Sequence, residues 1–275
     1  MIRKTQLLSD LNMRVRYLEA GSGSPLVLIH GVGMNADAWF PQMEALSRDY
    51  RVIAVDMPGH GESDGFRHAA TLKEYVDWLA AFLQTQPESR FAVAGHSMGA
   101  LITAGIAIDY PALIEQAIVM SGVFKRSDAA RAAVLQRAQE LAGGQVRLDA
   151  PLARWFSDDG HEQPLRSRVG GWLQQVSLEG YARAYQAFAE GDRLYADRWC
   201  EMRCPVLVMT GELDANSSPA MARQMAQAAP RGQAVVVANA KHMLNLTDAQ
   251  RVNEEMLMFL NPVTQRLTPE EPVKE

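Results

Sequence analysis

Apolar residues along this chain come in short unbroken runs, separated by longer stretches in which they recur every three or four positions. The runs at residues 25–29, 51–55, 91–94, 117–120, 206–210 and 233–237 predict β-strands. Unbroken apolarity in strands of this length predicts cover on both faces, and so a mostly parallel sheet. Between the runs lie helical patterns, the clearest at 72–84, where Thr71 and Glu74 have the spacing of a capping box ahead of the apolar stripe. Residues 13–19 alternate loosely and predict an antiparallel edge with the opening residues. Strand and helix in regular alternation predict an α/β fold, an open sheet with right-handed crossovers and helices on both faces.

The rhythm breaks at 125–200, where helical patterns sit among glycines and prolines and no strand-like run occurs. The strand at 206–210 resumes the sheet, so this stretch reads as an insertion into one domain. The expected division is a core of 1–124 and 201–261, an inserted 125–200, and a polar tail at 262–275, poorly ordered after a last helix at 247–260.

Composition narrows the partners. The chain has 275 residues, 21% of them charged, with net charge −5 and no Lys/Arg block, which argues against nucleic acid. Cys200 and Cys204 cannot make a disulfide framework, and no second Cys/His pair completes a metal site, so reduced thiols and no metal are expected. The basic pair Arg3-Lys4 is followed by no apolar segment of a signal peptide, and no stretch approaches the ~18 apolar residues of a membrane span. A soluble cytoplasmic protein acting on a small molecule is the default expectation; a homo-oligomer is left open.

The chemistry is concentrated at Gly95-His96-Ser97-Met98-Gly99, which follows the apolar run Phe91-Ala92-Val93-Ala94 and precedes the apolar helical stretch 100–108. A serine between two glycines at a strand-to-helix corner is presented as a nucleophile. A serine hydroxyl needs a base held by a carboxylate. His30, His60 and His96 lie in glycine-rich turns and are expected to fix loops, and His68 and His161 lie in polar stretches. His242, just past the last strand, is the candidate base, because sites in open α/β sheets form beyond the carboxyl ends of strands. Asp214, after the strand at 206–210, is the candidate acid, with Glu212 its competitor. The preceding strand ends in Met120-Ser121-Gly122 without a carboxylate. The backbone N–H groups of Met98 and of Val32, in the loop His30-Gly31-Val32-Gly33, are the candidate oxyanion donors; the spacing of that loop matches neither a P-loop nor G-x-G-x-x-G.

Together these residues resemble the α/β-hydrolase fold superfamily over nearly the whole chain. The resemblance rests on the loop at His30-Gly31-Val32-Gly33 with Trp39 following, the stretch Asp56-Met57-Pro58-Gly59-His60-Gly61-Glu62-Ser63, the corner at Ser97, and the Asp214 and His242 positions. It implies that 125–200 is a helical cap inserted after the sixth strand and that no cofactor is needed. Within the superfamily the chain is similar to small bacterial catabolic hydrolases: enol-lactonases, C–C bond hydrolases of ring-cleavage products, and amide hydrolases of N-heterocycle degradation. A serine nucleophile sets it apart from haloalkane dehalogenases and epoxide hydrolases, which use aspartate. One departure is Ala240-Lys241 before the histidine, where a glycine is common.

Substrate choice is expected to reside in the cap. Most of its aromatic residues read as cap core, with Trp155 and Trp172, together with Gly31 and Trp39, taken as candidate substrate contacts. Residues 125–200 hold eleven basic and ten acidic residues on an otherwise acidic body. An arginine-rich lid suggests an anionic substrate, with Arg154, Arg166 and Arg168 as candidate carboxylate clamps. The expected function is a serine hydrolase of a small carboxylated ester, enol-lactone or amide, working through an acyl-enzyme in aromatic or heterocycle catabolism. A C–C hydrolase or perhydrolase on the same scaffold, and a ligand receptor of this fold, are the alternatives; repeated turnover would set an enzyme apart from a receptor.

Overall fold

The computed structural model describes residues 1–144, 148–158 and 160–261; the tail expected at 262–275 lies outside the described residues. One sheet contains eight strands: β1 (Ile2–Leu8), β2 (Met13–Ala20), β3 (Pro25–Ile29), β4 (Arg51–Val55), β5 (Phe91–His96), β6 (Ile114–Met120), β7 (Val206–Gly211) and β8 (Gly232–Val237). Their order is β1-β2-β4-β3-β5-β6-β7-β8. The β1–β2 hairpin and the β2–β4 pair are antiparallel, and every pair from β4 to β8 is parallel.

The unbroken apolar runs follow from two cores, one on each face. Within β3, Val27 and Ile29 enter one core while Leu26 and Leu28 enter the other. Val206 and Val208 of β7 are divided in the same way from Leu207 and Met209. Strand side chains alternate between faces, so a sheet covered on both needs apolar residues at every position. The terminal strand β8 departs from this expectation: it has a neighbour on one side only, and Gln233 and Ala234 are exposed.

The helices are α1 (Phe40–Leu46), α2 (Leu72–Gln84), α3 (Met98–Asp109), α4 (Asp128–Ala142), α5 (Asp149–Trp155), α6 (Gln163–Gln175), α7 (Leu178–Gly191), α8 (Pro219–Ala228), α9 (Leu244–Thr247) and α10 (Ala249–Leu260). The capping box of α2 forms as its spacing predicts: Thr71 Oγ1 accepts from the Glu74 N–H, and the Glu74 carboxylate accepts from the Thr71 N–H. The helix expected at 247–260 forms as α10, starting at Ala249, and a short α9 precedes it, the two separated at Asp248, where the backbone leaves helical geometry (φ −121°, ψ 37°). Helices α4 to α7 all fall between β6 and β7, with no strand among the described residues of that stretch.

Loops at the carboxyl ends of the strands are tied down by buried polar groups. Asp56, at the end of β4, is fully buried and accepts hydrogen bonds from the Arg16 guanidinium (3.1 and 3.2 Å) and from the N–H groups of Ala36 (2.7 Å) and Glu62 (3.1 Å). One carboxylate thus joins β2, the loop after β3 and the loop after β4. Two histidines stitch the same loops together. His30 donates from Nδ1 to the Gly31 carbonyl and accepts the Met57 N–H at Nε2, while His60 donates to the Pro58 carbonyl and accepts the Gly33 N–H. Each ring is therefore a neutral tautomer, with one nitrogen donating and the other accepting.

Burial holds His30 down to about 4, and His60 and His96 down to about 3. In the unfolded chain these rings protonate near the ordinary value of about 6.5. Between that pH and about 3 to 4 the unfolded chain takes up protons that the folded rings refuse. The stability is therefore complete above about pH 6.5 and is lost as acid is added. Calorimetry should show Tm falling by ~10 °C between pH 7 and pH 4.5, with a shallower slope in His60→Gln. Equal slopes in the two proteins would exclude His60 as a source of the acid sensitivity.

Candidate active site

Ser97 sits at the corner between β5 and α3, with φ 56° and ψ −111°. A non-glycine residue there stores ~1–3 kcal/mol of strain and persists only because its surroundings over-determine it. The two glycines are the surroundings that matter. A β-carbon on Gly95 would lie 1.9 Å from the Gly99 carbonyl oxygen, and one on Gly99 would lie 2.2 Å from the Ile29 carbonyl oxygen. The first turn of α3 therefore rests directly on the backbones of β5 and β3. Residues 98–108 of α3 are all buried, which explains an apolar surface all round the helix. The Ser97 N–H is fixed to the Met120 carbonyl at 2.9 Å.

Asp214 and His242 meet beyond the ends of β7 and β8. The Asp214 Oδ2 accepts from His242 Nδ1 at 2.8 Å, and its Oδ1 accepts from the N–H groups of Asn216 (2.8 Å) and Ser217 (3.0 Å). Burial alone would raise this carboxyl, but the neighbouring His242 and the donated hydrogen bonds outweigh it and hold the group below its ordinary range. With Nδ1 donating to Asp214, Nε2 is the ring atom free to accept a proton. The His242 carbonyl accepts from His96 Nε2 (2.8 Å) and from the Ser121 hydroxyl (3.3 Å), which sets the height of the loop. Glu212, the competing carboxylate, is exposed and accepts from the Asn239 N–H. Lys241 has its own use, since its ammonium donates to the Phe156 carbonyl at 2.8 Å and links the histidine loop to the helical stretch after β6.

Ser97 and His242 line one cavity of about 290 Å³, at the small end of ligand sites. No hydrogen bond joins the serine hydroxyl to the ring among the described residues; such contacts commonly tighten only around a substrate. Gly31 and Val32 line the same cavity, and a β-carbon on Gly31 would come within 3.1 Å of the Ser97 β-carbon. The loop after β3 thus packs against the corner at Ser97. Among the described residues neither the Val32 nor the Met98 N–H donates to a protein acceptor. The far wall comes from the helical stretch: Trp155, whose ring lies 5.7 Å from that of His242, with Tyr181, Tyr185, Phe188 and three arginines, Arg126, Arg137 and Arg154.

Four residues expected at the substrate lie elsewhere. Trp39 is fully buried in a core of the sheet with Leu26, Leu28 and Met43. Trp172 faces a separate groove beside Arg3 and Arg16. Arg166 pairs with Asp158 at 3.7 Å, and Arg168 stacks 4.8 Å over the Phe40 ring. Of the three candidate clamps only Arg154 reaches the cavity. Arg126, Arg137 and Asn216 line it without having been singled out. Asn216 could have been found from its place two residues after Asp214. Nothing in α4, of which only Ala138 and Leu141 are buried, marks Arg137, and Arg126 lies just ahead of that helix. Among the described residues no group of three His, Cys, Asp or Glu side chains could hold a metal ion, and no helix is long and apolar enough to cross a membrane.

Known proteins share this fold. The chain is 47% identical over 260 residues to an (E)-2-((N-methylformamido)methylene)succinate hydrolase from Acinetobacter baylyi, covering 94% of this chain and 98% of that one. Two solved structures share the fold at 24% identity: an enol-lactonase from Burkholderia xenovorans LB400 (TM-score 0.84, 94% and 100% of the two chains) and a thermophilic esterase from Thermogutta terrifontis (TM-score 0.86, 96% and 99%). The profile described as the alpha/beta hydrolase family matches residues 26–255, from the second residue of β3 into α10, and so takes in the corner at Ser97 as well as the Asp214 and His242 loops. The chain belongs to the alpha/beta hydrolase family.

Proposed function

We propose that the protein is a serine hydrolase that cleaves an acyl bond of a small carboxylated metabolite through an acyl-enzyme on Ser97. The observation that carries this reading is the strained serine facing the same cavity as a histidine already oriented by a buried carboxylate. Ser97 attacks the carbonyl carbon and His242 Nε2 takes its proton, while Asp214 holds the Nδ1 tautomer and stabilises the imidazolium. Negative charge builds on the carbonyl oxygen, where the N–H groups of Val32 and Met98 receive it. The imidazolium then protonates the leaving nitrogen or oxygen. Water, deprotonated by the same ring, hydrolyses the acyl-enzyme and restores the serine.

Among ester, enol-lactone and amide, the amide is favoured by the Acinetobacter relative, whose name denotes an N-formyl enamine of a dicarboxylic acid. An arginine-lined cavity of small volume suits an acid of that size. Helices α4 to α7 act in this reading as a cap over the strand ends, supplying the wall that selects the substrate. Such a reaction belongs in catabolism of an aromatic or N-heterocyclic ring.

Two outcomes test the reading. Replacing Ser97 with Ala should lower kcat on an activated ester by ~10⁴-fold or more, leave Tm within a few degrees, and abolish labelling by a fluorophosphonate. Full turnover in that variant would remove the serine from the mechanism. Asp214→Asn should lower kcat by ~10⁴-fold while fluorophosphonate still reaches Ser97 slowly, because the ring loses its tautomer and not its place. If Glu212→Gln shows the larger loss, the acid has been misassigned.

A further inference from the structure

Arg126 occupies the wall of the cavity in an unusual electrostatic position. Its side chain is only 4% exposed, and its partner Asp192 is fully buried. The Arg126 N–H donates to Asp192 Oδ2 at 3.1 Å, and Nη1 lies 3.5 Å from Asp192 Oδ1 and 3.4 Å from the Phe188 carbonyl oxygen. The guanidinium stacks 4.4 Å over the Phe188 ring. Nη2 is buried and has no hydrogen-bond partner at all.

The one carboxylate available is shared. Arg131 also pairs with Asp192 through its Nη1, so two guanidinium groups draw on a single negative charge and the cluster keeps a net positive one. A buried guanidinium N–H without an acceptor is costly, and here it belongs to a residue that lines the space beside Ser97. Trp155 repeats the pattern on the same wall, since its indole N–H is also buried without a partner. Arg154, Arg137 and Arg126 all act on the Tyr185 hydroxyl and are opposed by Glu140, the ion-pair partner of Arg137, so positive charge is in excess at this end of the cavity.

We infer that Arg126 is a specificity-determining residue, its Nη2 donating to a substrate carboxylate that completes the charge balance of the Arg126–Asp192–Arg131 cluster. The inference rests on the hydrolase reading above and adds the residue that selects a carboxylated substrate over a neutral one. A neutral acceptor could take the hydrogen bond, but only an anion also offsets the excess charge. The guanidinium is held in advance by its stacking on Phe188 and its bonds to Asp192, so little freedom is lost on binding.

The test compares 4-nitrophenyl hemisuccinate with 4-nitrophenyl butyrate, which differ at the far end of the acyl chain by a carboxylate. In the wild-type protein kcat/KM should favour the hemisuccinate. In Arg126→Met the ratio of the two kcat/KM values should fall by ~30-fold, the size expected for losing a hydrogen bond to a charged group, with the change carried by KM. Succinate should inhibit the wild-type protein competitively, with Ki rising by a similar factor in the variant. Arg126→Lys keeps the charge but not the fork, and its ratio should fall between those of the wild type and the Met variant. It also stands in as the test if Arg126→Met does not fold. A ratio unchanged in the folded variants, or two substrates falling in parallel, would overturn the role of Arg126. Fluorophosphonate labelling separates the two failures: an unlabelled wild-type Ser97 sinks the hydrolase reading, whereas a labelled Ser97 with an unchanged ratio sinks only the inference about Arg126.

Discussion

Helix α3 meets the sheet backbone to backbone, and the geometry of the site descends from that contact. Gly99 lies against the Ile29 carbonyl and Gly95 against the Gly99 carbonyl, at separations that no side chain tolerates. This proximity forces the chain to turn from strand to helix within one residue, and Ser97 absorbs the cost as positive φ. It also brings the loop after β3 against the serine, where Gly31 and Val32 line the same cavity. A looser junction would give an ordinary serine on an ordinary loop. The strain is sustained by a helix buried on every side and by the hydrogen bond from the Ser97 N–H to Met120.

Around that corner the polar groups divide by task. His30, His60 and His96 are driven neutral by burial and spend both or one of their nitrogens on backbone groups of neighbouring loops. Asp56 plays the same part with a carboxylate, and the nearest glycine, Gly61, is required because a β-carbon there would overlap it. Asp214 differs, since it keeps its charge in the interior by accepting two backbone N–H groups on one oxygen and the His242 ring on the other. Fixed neutral rings locate the loops, and His242, oriented by Asp214, faces the cavity.

Much of this was legible in the chain. Continuous apolar runs announce a sheet covered on both faces because alternate residues must satisfy different cores, and the rule fails only at β8, where coverage ends. The corner at Ser97, the Asp214 turn and the His242 loop are readable because each depends on local chemistry: glycine where a β-carbon cannot fit, a carboxylate at a strand end, a histidine past the last strand. The substrate wall was much less legible. Trp39 and Trp172 bear the right side chains, yet which way each of them faces is decided by packing between distant segments. Arg166 and Arg168 look like Arg154 in sequence, and only their neighbours Asp158 and Phe40 divert them. Arg126 is distinguished by burial, a property of the assembled molecule that no neighbouring residue encodes. The break at Asp248 was likewise hidden within an apolar pattern that runs through both helices.

At Gly59 the loop after β4 meets helix α7 at Gly180 with no side chain between them: a β-carbon on either would fall within 2.7 Å or less of the other's backbone. The loop after β4 and helix α7 are thus joined at a seam where both residues have to stay minimal together, and Gly59 is held there at positive φ as well. Heritable change in this molecule is channelled accordingly. A descendant can exchange Arg137 or Arg154, since those positions border the open space of the cavity, but it cannot alter one side of the seam without parting α7 from the loop after β4. The freedom to diversify and the obligation to stay the same are written into different helices of one small layer.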